Sequence, residues 1–146
     1  MTAVSQASFT PAATSHVAGD VIGGAQEFKN IGNPGEFTFI ISASLRINDV
    51  NLQTTAWRIH LFDVTPPSAL ADDAAFLLPA GDRASYLGYC DIAQVIDLGD
   101  TQMIENNNIW KMIRLRGSSL FGYLVNGTTL TTVANPHIIT LGAVLA

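Results

Sequence analysis

The sequence is short of charge. Only 13% of its 146 residues are charged, twelve acidic and seven basic, which gives a formal net charge of −5. Soluble domains usually carry roughly 25% charged residues, and coverage of part of the surface by other subunits is one reason for a lower fraction. An acidic chain also lacks the basic patch that nonspecific nucleic-acid binding requires. We therefore expect no nucleic-acid partner.

Cysteine and long apolar runs are also scarce. The single cysteine, Cys90, excludes an internal disulfide framework. No apolar stretch approaches the roughly 20 residues that cross a bilayer as a helix. Met1–Phe9 lacks the basic start and apolar core of a signal peptide, so we expect no membrane partner. The length fits one domain whose core needs no metal or disulfide.

Catalytic and metal-binding motifs are missing as well. The three histidines stand far apart, and none lies in a motif with serine or cysteine; they are His16, His60 and His137. Asp97 and Asp100 flank a glycine turn without continuing a calcium-loop pattern. Cys90 lies in an apolar segment, as a buried structural thiol would. These observations predict a protein that is not an enzyme and has no cofactor and no metal site.

What is present is alternation of apolar and polar residues with period two, which indicates strands with one buried face. Over residues 37–47 the apolar set expected to face inward is Phe37, Phe39, Ile41, Ala43, Leu45 and Ile47. Further strands are predicted at Ala56–Phe62, Tyr86–Ile92, Ile109–Leu115, Leu120–Val125, Thr128–Val133 and His137–Val144, with two weaker ones at Asp20–Gly23 and Ala25–Ile31.

Turn residues complete this interpretation. Gly23-Gly24 favours a turn or bulge between the two early strands, and Asn126-Gly127 favours a tight type I′ hairpin. Only Leu70–Leu78 resembles a short helix. About eight short antiparallel strands with at most one short helix predict an all-β fold, a jelly-roll-like β-sandwich.

The N-terminal residues 1–14 differ from the rest. They are rich in alanine, serine and threonine, contain Pro11 and carry no charged side chain. We interpret residues 1–14 as an extended arm and residues 15–146 as a single sandwich domain. The arm is either a mobile tail or a segment that adds a strand to a neighbouring sheet. Its candidate partner-binding residues are Ser5, Phe9, Thr10 and Pro11.

Charge is unevenly distributed along the chain. Eight of the twelve acidic residues lie between Asp63 and Glu105, and the bases Lys111, Arg114 and Arg116 follow without any acid. Two interpretations stay open. The two segments form complementary faces between subunits, or their charges meet within one domain or face water.

The aromatic side chains also allow two interpretations. They either stack against sugars on an exposed sheet face or pack within the sandwich; the candidates are Trp57, Trp110, Tyr86, Tyr89 and Tyr123. We expect Trp57, in the segment Ala56–Phe62, to be a core residue.

Several strings, in order along most of the chain, resemble small virion structural proteins of tailed bacteriophages. They are Ser8-Phe9-Thr10-Pro11-Ala12, Ala18-Gly19-Asp20-Val21-Ile22, Trp57-Arg58-Ile59-His60-Leu61-Phe62, Asp72-Asp73-Ala74-Ala75-Phe76, Tyr86-Leu87-Gly88-Tyr89 and Ser118-Ser119-Leu120-Phe121-Gly122.

The resemblance implies a capsid decoration or cement protein on the outer surface of the virion head. Such a protein bridges and stabilises neighbouring major capsid subunits. It is a homo-oligomer, with a trimer favoured. The alternative is a minor head, head-fibre or tail component that acts as a binding module for carbohydrate or the host surface.

Overall fold

The computed structural model describes residues 1–50 and 55–146. Within them, the chain is almost entirely strand, with one short 3₁₀ helix at Ala80–Ser85. The strands are β1 (Thr2–Phe9), β2 (Ser15–His16), β3 (Val21–Phe28), β4 (Phe37–Ile47), β5 (Ala56–Phe62), β6 (Tyr86–Gln94), β7 (Ile96–Asp97), β8 (Gln102–Asn106), β9 (Lys111–Arg114), β10 (Leu120–Asn126), β11 (Leu130–Thr131) and β12 (His137–Leu145).

Two antiparallel sheets pack face to face. The first sheet has the order β1-β12-β4-β8-β7, and β9 pairs with the other half of β4. The second sheet has the order β3-β10-β5-β6, while β2 and β11 form a separate two-stranded ribbon. The main core between the sheets includes Ile40, Leu45, Trp57, Ile59 and Leu141, all buried. The predicted all-β, jelly-roll-like sandwich is confirmed, and so is the core position of Trp57.

The predicted alternation of β4 holds over only half of the strand. Residues 43–47 follow it, but before them Ile40 is buried, while Phe37 is exposed and Phe39 only partly buried. The reason is a β-bulge at Ile41. Gly142 of β12 pairs with Ser42 and the next residue, Ala143, pairs with Ile40, so Ile41 has no partner in the register. Because a bulge inserts one residue, it exchanges the two faces of the strand. The inward placement predicted for the two phenylalanines is therefore wrong.

The two early strands predicted around Gly23-Gly24 are one strand, β3. Both glycines have positive φ, 83° and 77°, and the pairing with β10 passes over them between Ile22 and Ala25. Left-handed backbone is accessible to glycine at little cost. The glycine bulge is thus confirmed, and it joins the two segments within one strand.

The predicted helix at Leu70–Leu78 is wrong. The backbone of Ala69 and Asp73 is left-handed, with φ of 46° and 68°, which interrupts any helix. The Val21 N–H donates to the Ala74 carbonyl (2.8 Å), and the Asp73 N–H donates to the Val21 carbonyl (2.9 Å). Tertiary pairing with β3 therefore overrides the weak local helix propensity.

The predicted type I′ hairpin at Asn126-Gly127 is also wrong. Strand β10 is already paired on both sides, with β3 and β5, so the predicted returning strand shortens to β11 and pairs with β2. Asn126 is instead buried, and its side chain forms hydrogen bonds to neighbouring segments. Its amide donates to the Thr128 carbonyl (2.8 Å), and its side-chain oxygen accepts from the Asp20 N–H (3.0 Å).

Most of the segment interpreted as an arm lies on the first sheet in the single chain. Strand β1 pairs with β12 from Thr2 opposite Val144 to Phe9 opposite His137, and it is the edge strand of that sheet. The partner-binding role of residues 1–14 stays a prediction.

Candidate functional site

The outer surface of the first sheet presents an unusual set of side chains. Residues that are paired across strands share a face, so the pairings of β1, β12, β4, β8, β7 and β9 define the whole surface. We call it the open face. Its outward residues are Thr2, Val4, Gln6, Ser8, Phe37, Phe39, Ser42, Ser44, Arg46, Ile96, Met103, Glu105, Met112, Arg114, Ile138, Thr140 and Val144.

Apolar side chains are abundant on the open face. Its only charged members are Arg46, Glu105 and Arg114. Val4 is 72% exposed and Ile96 59% exposed. Soluble monomers seldom expose large contiguous apolar patches, and such patches mark interaction surfaces. The open face therefore has the composition of a protein contact surface.

Apolar exposure is concentrated where β9 joins β4. Phe39 pairs with Met112, which is 57% exposed. Trp110 precedes β9 with a left-handed φ of 52°, so β9 starts at Lys111 rather than at the predicted Ile109. The indole of Trp110 is 61% exposed and lies edge-on to Phe39, with 6.5 Å between ring centroids. We call Phe37, Phe39, Trp110 and Met112 the apolar corner.

The outer surface of the second sheet is covered by the chain itself. Four of its side chains, Val21, Phe62, Tyr123 and Val125, form a second buried cluster. The connection between β5 and β6 packs onto this cluster through Leu70, Phe76 and Leu78. The Leu70 N–H donates to the Tyr123 hydroxyl (2.9 Å), which fixes the connection to β10.

Beside this cover lies a cleft of about 560 Å³. Its side chains include Arg58, His60, Phe76 and Asp91. The Arg58 Nε–H donates to Asp91 (2.8 Å), and its guanidinium lies 3.8 Å from the centroid of the Tyr89 ring. Paired donors and acceptors beside an aromatic ring suit a neutral polar ligand better than an anion.

The five aromatic candidates do not form one sugar-binding platform. Trp57 and Tyr123 are buried and Tyr86 is partly buried. Tyr89 and Trp110 are exposed, but they belong to different sheets, Tyr89 on β6 against the Arg58 guanidinium and Trp110 at the apolar corner. Packing within the sandwich therefore explains most of the set.

The three histidines are buried. His60 donates to or accepts from the Tyr86 hydroxyl (2.9 Å) and stacks on Phe76 with ring centroids 3.8 Å apart. Burial lowers the pKa of His60 to about 4. Burial also lowers the pKa of His137, which bonds to the Asn135 carbonyl. Each ring bonds to its own structural neighbours.

Cys90 is buried, as expected for a structural thiol, and burial raises its pKa to about 11. Across residues 1–50 and 55–146, no group of three or more His, Cys, Asp or Glu side chains is placed to hold a metal ion. In the same residues, no helix is long and apolar enough to cross a membrane.

The predicted partner-binding residues lie on or just after β1. Ser5 points inward and is buried, and Phe9 is partly buried, with its ring stacked on His137 at 5.6 Å between centroids. Thr10 is exposed, whereas Pro11 is buried. The structure thus places these four residues along one edge strand and its connection to β2.

Within residues 1–50 and 55–146, one ion pair joins the acidic and the basic segments. Arg116 pairs with Asp63 at 3.3 Å. This ion pair supports contact within one domain for those two residues. Arg114 differs, because its guanidinium lies near the Phe37 ring (5.9 Å) at the apolar corner and its Nε–H donates to the Gly35 carbonyl (3.0 Å).

No family model and no curated protein matches this chain. Among solved structures, it is similar to a chain from the acid-stable capsid of Helicobacter pylori bacteriophage KHP30, with 10% identity, a TM-score of 0.38, and coverage of 100% of this chain and 88% of that one. A chain of the cyanophage Pam1 capsid asymmetric unit has 11% identity, a TM-score of 0.40 and coverage of 99% and 85%. A carbohydrate-binding module of LamC, a laminarinase from Zobellia galactanivorans, has 9% identity, a TM-score of 0.40 and coverage of 98% of each chain. At these identities the likeness concerns the fold alone.

Sequence reasoning missed the open face. Alternation shows that a strand has two faces, but it does not show which face a partner element covers. The low charge of the chain does not mark this face, because three of its seventeen outward residues are charged, a share no lower than the 13% of the whole chain.

Proposed function

We propose that this chain is a structural virion protein that decorates and cements the head of a tailed bacteriophage. In this proposal, the open face binds major capsid subunits on the outer surface of the shell, and the chain acts as a homo-oligomer, with a trimer favoured. The observation that carries the proposal is the large open face with its exposed apolar side chains and its apolar corner. The sequence resemblance to small phage virion proteins supports it independently.

The physical basis is burial of apolar surface across subunit boundaries. Phe37, Trp110 and Met112 are each about half exposed or more in the single chain. Association removes such surface from water and gains roughly 25 cal/mol for each Å² buried. Aromatic side chains and methionine are enriched in interface cores. A subunit that spans two capsid subunits would therefore oppose their separation without any chemical step.

Binding to undecorated heads tests the role of the open face. We expect the pair of changes Trp110→Ser and Met112→Ser to weaken binding at least tenfold, measured by cosedimentation with shells that lack this protein. Leu77→Ser is the matched control, since Leu77 is 73% exposed on the connection that covers the second sheet. Equal binding by the corner variant and the control would contradict the proposal.

The copy number in purified particles tests the cement role itself. Quantitative mass spectrometry should give about one copy of this chain for each major capsid subunit. A few copies, or a dozen, would instead indicate a vertex or tail component.

The cleft favours a second candidate function, a binding module for a neutral saccharide. Arg58 and Asp91 offer paired donors and acceptors beside Tyr89. A glycan array with the assembled protein tests this alternative. Binding that is lost with Tyr89→Ala but kept with Trp110→Ala would favour the module over the cement role.

A further inference from the structure

Strand β1 is held to its own domain by few apolar contacts. Along its length, only Ala7 belongs to the buried core, with Phe9 packed against that core from its end. Thr2, Val4, Gln6 and Ser8 face outward and are exposed. Elements with little buried apolar surface open at low free-energy cost. Detachment of Thr2–Phe9 therefore costs far less than unfolding of the sandwich.

The chain is firmly fixed again a few residues later. Asp72 accepts hydrogen bonds from the Ala12 N–H (2.8 Å), the Gly23 N–H (2.8 Å) and His16 Nε2 (2.9 Å). Burial raises the pKa of Asp72, but these bonds outweigh it and keep the pKa below its usual value. The Thr132 hydroxyl donates to the Ala12 carbonyl (2.5 Å). Thr10 and Pro11 therefore connect β1, which few apolar contacts hold in place, to Ala12, which is fixed by hydrogen bonds.

Phe9 fits a hole that this fold builds for it. A Cβ atom on Gly23 would lie 2.1 Å from Cδ2 of Phe9, so the ring occupies the space that only glycine leaves free. On its other side, the ring stacks on His137. The hole combines β3 and β12, and every copy of the chain carries it.

The outer edge of β1 has none of the features that protect edge strands from pairing. The strand is eight residues long, pairs with β12 without a register shift, and contains neither a charged residue nor a proline. Natural edge strands are commonly protected by lysine, proline, bulges or covering segments. This edge is therefore suited to contact with another chain.

We propose that Thr2–Phe9 is exchanged between copies of this chain, so that β1 of one subunit pairs with β12 of the next and its Phe9 enters that subunit's Gly23 hole. Thr10 and Pro11 form the hinge. This proposal goes beyond attachment to a shell, because it assigns the contact that joins the copies to each other.

A second copy is the partner that the geometry favours. When β1 leaves its own domain, it loses its pairing with β12 over eight residues, the space for Phe9 at Gly23 and the stacking of Phe9 on His137. Another copy of the chain offers the same three contacts. Exchange of an identical element preserves the contacts of the single chain, which makes it a low-cost route to an oligomer. Each β12 gives up its own β1 and pairs with the β1 of another copy. Because no β12 is left unpaired, the exchanged assembly is a closed ring.

A cysteine pair across β1 and β12 distinguishes exchange from the closed single chain. The side chains of Gln6 and Thr140 are directly paired and bonded at 3.1 Å, and such neighbours lie within disulfide reach. The double change Gln6→Cys with Thr140→Cys, introduced into the full chain, should form covalent multimers on a non-reducing denaturing gel. Three exchanging copies would give a covalent trimer. The buried Cys90 thiol, with its raised pKa, does not compete.

The control pair Thr2→Cys with Thr140→Cys is out of register and should give no covalent multimer. Covalent closure within single chains, with loss of both new thiols and no multimer, would overturn the exchange. The molar mass of the unmodified chain, measured by light scattering, is an independent test. A monomer at the concentrations at which particles assemble would also overturn the exchange. Both measurements use the purified protein alone, so their failure is separate from failure of shell binding through the open face.

Discussion

The two sheets share one core but differ on their outer surfaces. The second sheet packs two of its outward aromatic side chains, Tyr123 and Phe62, beneath the connection of residues 63–79, and both are fully buried. The first sheet leaves Phe37 and Met112 in solvent. The comparison shows that one sheet is covered on its outer side by its own chain, whereas the other presents apolar side chains to solvent in the single chain.

The largest expected difference between the two surfaces concerns aromatic truncation. We expect Tyr123→Ala to lower the free energy of unfolding by about 3–5 kcal/mol, as for other large core side chains. Trp110→Ala, at the apolar corner, should change the free energy of unfolding by less than about 0.5 kcal/mol. Denaturant titration of both variants measures this difference. Equal losses would mean that the open face is packed within the single chain.

The next largest expected effect is a loss of unfolding free energy in acid, caused by His60 on the outer side of the second sheet. The folded pKa of His60 is about 4, below the usual 6.5, so the unfolded chain binds the proton more tightly. Stability from this residue is fully present above pH 6.5 and is lost as the pH falls toward 4. The loss is about 3 kcal/mol, at roughly 1.4 kcal/mol for each pKa unit.

Unfolding titrations at pH 7 and pH 4.5 test this expectation, with His60→Phe as the comparison. The variant keeps a ring against Phe76 and removes the titrating group. A pH dependence as steep in His60→Phe as in the unmodified chain would assign the acid sensitivity to other groups, His137 and Asp72 among them.

The smallest expected effect concerns the hydrogen bond from the Leu70 N–H to the Tyr123 hydroxyl, which holds the connection between β5 and β6 on the second sheet. Tyr123→Phe keeps the ring but leaves the Leu70 N–H without its partner oxygen. Loss of this partly buried hydrogen bond costs about 1 kcal/mol. Tyr89→Phe, at a hydroxyl on a half-exposed ring, should cost less than about 0.5 kcal/mol. Thermal unfolding that ranks the two variants in the reverse order would contradict the role of this bond.

Sequence patterns predicted the sandwich because strand periodicity is a local property. Ala56–Phe62 is a strand with the predicted bounds, and β12 differs by one residue at one end. The face assignment in β4 failed because the bulge at Ile41 depends on pairing with β12, which lies about a hundred residues away. The helix at Leu70–Leu78 failed because contacts with Val21 and Tyr123 decide the conformation of that segment.

The candidate surfaces were less predictable than the fold. The sequence singles out Phe9 and Pro11 as candidate partner-binding residues, and that role stays a prediction. The hole at Gly23 exists only once β1, β3 and β12 meet. The apolar corner needs the left-handed backbone at Trp110 and the bulge in β4. Neither feature follows from composition or spacing, because both are set by contacts between distant parts of the chain.

The pairing of β1 with β12 also bears on the rate of folding. Gln6 and Thr140 are bonded although they lie 134 positions apart along the chain, and contacts between such distant positions form slowly because chain entropy must be lost first. While β1 of one copy is still unpaired, it can meet β12 of another copy wherever folding chains are concentrated.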